Sequence, residues 1–221
     1  MSEQPLPGTQ VCRHGRGLFV AFEGGDGSGK STQSGLLAAW LREQGAEVLH
    51  TREPGGTALG TALRELVLHG ADGSVSPRAE ALIFAADRAH HVATLVRPAL
   101  EGGNVVITDR FLDSSVAYQG AARRLGHDDV RQLSVWAVEG LVPDLTVLLD
   151  VPTGEGRARR GEVHDRLERE ADDFHDRVRG TFLELAAREP DRYLVLDGTL
   201  PPEELAASVR ARVGALLGST A

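Results

Sequence analysis

The apolar run LFVAFE, opening at Leu18, passes directly into the glycine-rich stretch GGDGSGKST, and the helix-period segment SGLLAAWLREQG follows. Strand, loop and helix in that order leave few folds open. Gly24, Gly29, Lys30 and Ser31 satisfy the spacing GxxxxGK[ST]. In such a loop the glycines let successive backbone N–H groups turn inward around phosphate oxygens, and the positive end of the following helix faces the same charge. The cradle expected on this pattern is Gly24, Gly25, Asp26, Gly27, Ser28, Gly29, Lys30, Ser31 and Thr32. Lys30 would bring a compact charge to the terminal phosphates of a nucleoside triphosphate, and the Ser31 hydroxyl is placed to ligate Mg²⁺.

Composition sharpens the reading at one position. Of 24 lysine and arginine residues, Lys30 is the only lysine. Arginine is a broad planar fork and lysine a narrow point charge, so a lysine kept only here marks a place where the fork does not fit.

Further apolar runs alternate with helix-period segments: EVLHT from Glu47, NVVITD from Asn104, LTVLLD from Leu145 and YLVLD from Tyr193. With LFVAFE they predict an α/β protein, a parallel sheet of about five strands buried on both faces and flanked by crossover helices. Two helices are expected to end at Gly45 and Gly70, each glycine suited to the left-handed position past a helix end. Pro77 opens a long helical segment towards Leu100, and three more helices are expected in DDVRQLSVWAVEGL, FHDRVRGTFLELAAR and PPEELAASVRARVGALLG.

A chain of 221 residues accommodates one such domain, read here as 17–221, with a short Pro- and Gly-containing tail at 1–16 expected to be flexible. The net charge of −8 argues against a body that grips nucleic acid non-specifically. The single cysteine, Cys12, excludes an internal disulfide and a cysteine-based metal site. No apolar run reaches bilayer-spanning length and the start lacks a secretory core, so a soluble cytoplasmic protein is expected.

Other stretches point to a phosphate acceptor. TREPGG (Thr51 to Gly56) lies beyond the second strand and ITDRF (Ile107 to Phe111) closes the third. Ligands of open parallel sheets bind beyond the strand carboxyl ends, so Arg52 and Arg110 are expected to face the loop's crevice, where an arginine fork can hold a monoester phosphate. Asp109 is suited to orient Mg²⁺ through water; surface ion pairing is the alternative for each. FAADR sets Phe84 and Arg88 one helical turn apart on one face, and DSSVAYQG adds hydroxyls, a phenol and an amide, the groups with which a pocket identifies a nucleobase. Phe84 could equally be core. The segment about 152–170 carries Arg157, Arg159, Arg160 and Arg166, either a solvated face or a lid that closes over a transferring phosphoryl group.

In unbroken order from about Leu18 stand FEGGDGSGKST, TREPGGT, LRELVL, FAADRAHHV, ITDRFLDSSVAYQG, PDLTVLLDV and the arginine-rich segment. In this series the chain resembles the bacterial thymidylate kinases, a family of P-loop nucleoside monophosphate kinases. The resemblance implies the three-layer P-loop NTPase fold, ATP and Mg²⁺, conversion of dTMP to dTDP in dTTP biosynthesis, and a homodimer. It implies that Phe84 stacks on thymine, Arg88 bonds the base carbonyl, and Ser115 and Gln119 contact the base edge. Tyr118 would lie against the sugar, favouring deoxyribose, while Arg110 and Arg52, with Arg64 and Glu53, hold and orient the dTMP phosphate. Some members carry an arginine inside the phosphate loop where this chain has Asp26; in the acidic-loop variant the lid supplies the catalytic arginine, expected here among Arg157 to Arg160, with Arg160 the choice. The family's DRY or DRH tripeptide reads Asp109-Arg110-Phe111, which keeps the arginine, and the tail before Gly17 has no counterpart.

Two rivals bound this reading. A guanine switch needs an NKxD motif, and the only asparagine here, Asn104, is followed by valines. A kinase for UMP, CMP or AMP remains open and would share the loop and lid, but not FAADR with SSVAYQG.

Overall fold

The computed structural model describes residues 17–70, 75–159 and 165–218; the tail 1–16 lies outside them. In chain order the elements are β1 (Phe19–Glu23), α1 (Lys30–Glu43), β2 (Val48–Arg52), α2 (Ala58–His69) and α3 (Pro77–His91), which continues through a π turn (Val92–Val96) into α4 (Arg97–Glu101). Then come β3 (Val105–Asp109), α5 (Leu112–Ser115) leading into a π segment (Val116–Ala122), α6 (His127–Ala137) and β4 (Leu145–Asp150). α7 (Thr153–Ala158), α8 (Asp172–Arg188), β5 (Tyr193–Asp197) and α9 (Pro202–Gly218) complete the fold.

All five strands pair in parallel in the order β2-β3-β1-β4-β5. β1, β3 and β4 are buried along almost their whole length, whereas the edge strands β2 and β5 are only partly covered. Burial on both faces is therefore a property of the three central strands. Alternation along β1 divides the core: Val20 and Phe22 pack with Leu37 and Leu41 of α1 and Val209 and Val213 of α9, while Phe19 and Ala21 pack with Val92, Val96 and Phe111 on the opposite face. Each of the valine, leucine and phenylalanine side chains among these contributes about 1.5–3 kcal/mol through burial.

Gly45 takes the left-handed conformation expected of it, with φ 84°. Gly70 does not; its φ is −59° and ψ 162°, an extended residue that leads the chain away from α2. The long segment after Pro77 is also not one regular helix, because the π turn at Val92–Val96 interrupts it. No helix among the described residues is long and apolar enough to cross a membrane.

The chain leaves β1 for one flank of the sheet and, after β3, crosses to the other. The switch point thus lies at the carboxyl ends of β1 and β3, where Glu23 and Asp109 end their strands and where open α/β sheets hold ligands.

Candidate active site

β1 ends and the loop begins with a backbone that only glycine tolerates. Gly24 has φ 137°, and a Cβ there would lie 2.5 Å from the Leu149 carbonyl oxygen. The loop closes onto α1, whose first turn has no side-chain cap, so its N–H groups serve the loop interior. Lys30 Nζ donates to the carbonyls of Gly24 (3.2 Å) and Gly25 (2.7 Å). Burial, followed by the Arg110 charge, lowers the Lys30 pKa to about 8. Ser31 Oγ donates to Asp109 Oδ2 at 2.5 Å, so the two residues expected at a metal stand together, and Arg52 lines the same open cavity.

Arg110 joins this loop to the neighbouring cleft. Its backbone is left-handed (φ 72°), and its guanidinium donates to Gly24 O (3.1 Å), Ser114 Oγ (3.0 Å), Asp26 Oδ1 (2.5 Å) and Tyr118 Oη (3.1 Å). Burial works against its charge, but Tyr118, Asp26, Glu23 and Asp109 outweigh burial and hold the pKa well above the ordinary value. Tyr118 Oη donates in turn to Asp26 Oδ2 at 2.9 Å; burial raises the phenol's pKa and keeps it a donor.

The cleft, about 610 Å³ including its open mouth, is lined by Glu53, Arg64, Phe84, Arg88, Arg110, Ser115, Tyr118 and Gln119, with Asp26 at its edge. Helical spacing assembles one wall: Ser115, Tyr118 and Gln119 follow one face, and Phe84 and Arg88 project from α3. Phe84 serves both readings, since it packs in the core with Val116 and Val67 and still borders the cleft. Arg88 is 2 % exposed; it donates to Glu53 Oε2 (2.6 Å), Ser115 Oγ (3.1 Å) and Phe111 O (3.2 Å). Three of its five N–H groups are thus committed, and the rest remain for the cleft it lines.

Glu53 is consequently a support for Arg88, because its other oxygen faces His91 Nδ1 at 2.8 Å, and His91 Nε2 lies 2.8 Å from Thr51 Oγ1. Arg64 is tied to the Pro54 carbonyl at 3.1 Å, and burial, then the Arg52 charge, pulls its pKa below the ordinary value. Two cations share this corner.

The arginines of the segment about 152–170 are dispersed. α7 lies against the phosphate loop, where a Cβ on Gly156 would come within 2.9 Å of the Asp26 carbonyl oxygen. Arg157 pairs with Asp172 (2.9 Å), and Arg159 donates to Gly198 O (2.7 Å). Arg166 turns towards α2 and α3, donating to Val67 O (3.0 Å) and Glu80 Oε2 (2.5 Å). Arg160 lies outside the described residues.

Several participants escaped the sequence reading. Glu23, at the end of β1, accepts from Phe111 N, Ser114 N and Ser114 Oγ, and burial followed by Asp113 raises its pKa to about 7. On α3, Glu80, Asp87 and His91 are buried alongside Phe84 and Arg88. Their signal was present as polar residues recurring at helical spacing on an apolar face. Among the described residues, no group of three or more His, Cys, Asp or Glu could hold a metal ion.

The thymidylate kinase family profile matches residues 22–209. A thymidylate kinase of Clavibacter michiganensis subsp. michiganensis is 57% identical over 93% of this chain and 98% of its own length. One of Leifsonia xyli subsp. xyli is 60% identical over 89% of this chain and 94% of its own. A crystal structure of thymidylate kinase from Ehrlichia chaffeensis superposes with a TM-score of 0.75 at 34% identity, covering 89% of this chain and 98% of that one.

Proposed function

From the premise that this chain belongs to the thymidylate kinase family and phosphorylates dTMP to dTDP with ATP, we propose how its residues divide the work. The observation that carries the division is Arg110, whose guanidinium touches the phosphate loop and lines the acceptor cleft at once. The loop Gly24, Gly25, Asp26, Gly27, Ser28, Gly29, Lys30, Ser31 and Thr32 holds the donor triphosphate. Arg110, with Arg52 and Arg64, holds the dTMP phosphate in line with it. A phosphate monoester is largely ionised near neutral pH, so positioning and charge neutralisation dominate and no strong base is required. Asp26 braces Arg110 and Tyr118, and a lid arginine, for which Arg160 is our choice, stabilises the transferring group.

The adjacent hydroxyl and carboxylate of Ser31 and Asp109 are hard oxygen donors at the loop's edge, a set that fits Mg²⁺ beside phosphate oxygens. When bound there, the ion neutralises charge on the triphosphate. Phe84 stacks on thymine, Arg88, Ser115 and Gln119 read its edge, and Tyr118 borders the sugar; Glu53 fixes Arg88. Coupled ADP-release assays with dTMP, dUMP, ribo-TMP, CMP and AMP test the reading: turnover is expected to be best with dTMP, and comparable rates with CMP or AMP would overturn it.

We extend the reading to a homodimer. Leu59 and Leu66 on α2, Leu82 on α3 and Trp136 on α6 are exposed at 47%, 53%, 58% and 78%, and α3 packs against both α2 and α6. A second copy is the occupant that would cover these side chains; a monomer in sedimentation equilibrium at micromolar concentration would refute this.

A further inference from the structure

We infer that Glu80 sets the base specificity of the acceptor cleft by fixing which end of the Gln119 amide faces the nucleobase; the inference rests on the base-edge reading above. Glu80 is fully buried on α3, one turn before Phe84. Its Oε1 accepts from Gln119 Nε2 at 2.9 Å and from Arg123 Nε at 3.3 Å, and its Oε2 accepts from Arg166 Nη2 at 2.5 Å. A carboxylate only accepts, so the Gln119 amide must turn its NH₂ towards Glu80. Its Oε1 is left for the cleft that Gln119 lines.

The cleft then offers a defined pattern. Arg88 contributes N–H donors, and Gln119 contributes an acceptor beside them. That pair complements a pyrimidine with a carbonyl next to a ring N–H, as in thymine and uracil. Cytosine presents the opposite, an amino donor next to an unprotonated ring nitrogen. A free amide could turn over and serve either edge; Glu80 removes that freedom.

The same carboxylate ties the discrimination to the lid. Arg166 lies at the far end of the arginine-rich segment, and its backbone N–H and Nε also bond Leu68 O (3.2 Å) and Val67 O (3.0 Å) at the end of α2. Arg166 can only donate, so it reserves an oxygen of whatever stands at position 80. In Glu80→Gln the carbonyl goes to Arg166, whose bond is shorter than that of Arg123. The new NH₂ faces Arg123, which keeps its pair with Glu170, and Gln119, which must then turn its own oxygen away from the base.

The test is steady-state kinetics of the full chain with dTMP, dUMP and dCMP, for wild type, Glu80→Gln, Glu80→Asp and Gln119→Leu, with thermal melting alongside. In Glu80→Gln the KM for dTMP is expected to rise about tenfold with a smaller change in kcat. The dTMP-over-dCMP ratio of kcat/KM is expected to fall about tenfold, while the dTMP-over-dUMP ratio holds, because those two bases share the edge being read. Glu80→Asp keeps the charge but withdraws it from Gln119, so the dCMP discrimination must fall there too, which covers the case in which Glu80→Gln fails to fold. A merely structural Glu80 would lower the melting temperature and leave the ratio alone. An unchanged dCMP ratio in a folded Glu80 variant, with Gln119→Leu altering it, overturns the role of Glu80 and spares the base-edge reading. An unchanged ratio in Gln119→Leu as well overturns both.

Discussion

The donor and acceptor halves of this site are built on different principles. On the donor side, backbone does most of the work: glycines shape the loop, the uncapped start of α1 faces its interior, and Lys30 is held by two loop carbonyls. On the acceptor side, side chains hold side chains, as Glu53 bridges Arg88 and His91, Ser115 accepts from Arg88, and Glu80 gathers Gln119, Arg123 and Arg166. A phosphate needs only convergent positive charge, which backbone and one lysine provide. A base needs donors and acceptors in fixed order, and buried partners are what fix the order.

The largest effect that can break this contrast lies at Lys30. Lys30→Ala is expected to lower kcat about a thousandfold with little change in stability, read by single-turnover and melting experiments. Lys30→Arg should lose most of that activity as well. Full activity in the arginine variant would show that the loop tolerates a fork and that backbone geometry is less exacting than argued.

Next is Glu53. Glu53→Ala leaves the Arg88 charge buried without its partner, for an expected cost of about 3–5 kcal/mol in denaturant unfolding together with a raised KM for dTMP. Ser31→Ala on the donor side should change stability by about 0.5 kcal/mol or less. Equal destabilisation by the two variants would erase the difference between the halves.

The smallest effect sharpens the contrast through pH. With its pKa lowered to about 8 by burial, Lys30 is charged below that pH and neutral above it. The value of kcat/KM for ATP, which reports the free enzyme, should fall about tenfold per pH unit on the alkaline side. A flat profile to pH 10 would mean that Lys30 retains its proton and that the loop is wetter than its burial implies.

The two halves were unequally legible. The loop could be read directly because its residues are consecutive and their task is local. Arg110, Phe84, Arg88, Ser115, Tyr118 and Gln119 could be named as residues facing one ligand, and they do line one cleft. Their partners could not be named. Glu53, expected at the phosphate, lines the cleft and also carries Arg88 and His91, and Arg166, counted with the lid, braces Glu80 across 86 positions of the chain. Gly70 misled because a glycine after a helix permits a left-handed residue without requiring one.

By itself, then, the sequence determined the alternation that makes a parallel sheet, the glycine-rich loop at its first turn and most of the residues that line the neighbouring cleft, all consequences of short-range periodicity and backbone freedom. Only the tertiary structure decided which side chain holds which other in place around that cleft. Burial obliges each polar group to find a partner, and the partner is whatever packing brings within hydrogen-bond distance. For Gln119 that partner is Glu80, a residue on another helix with no motif to announce it.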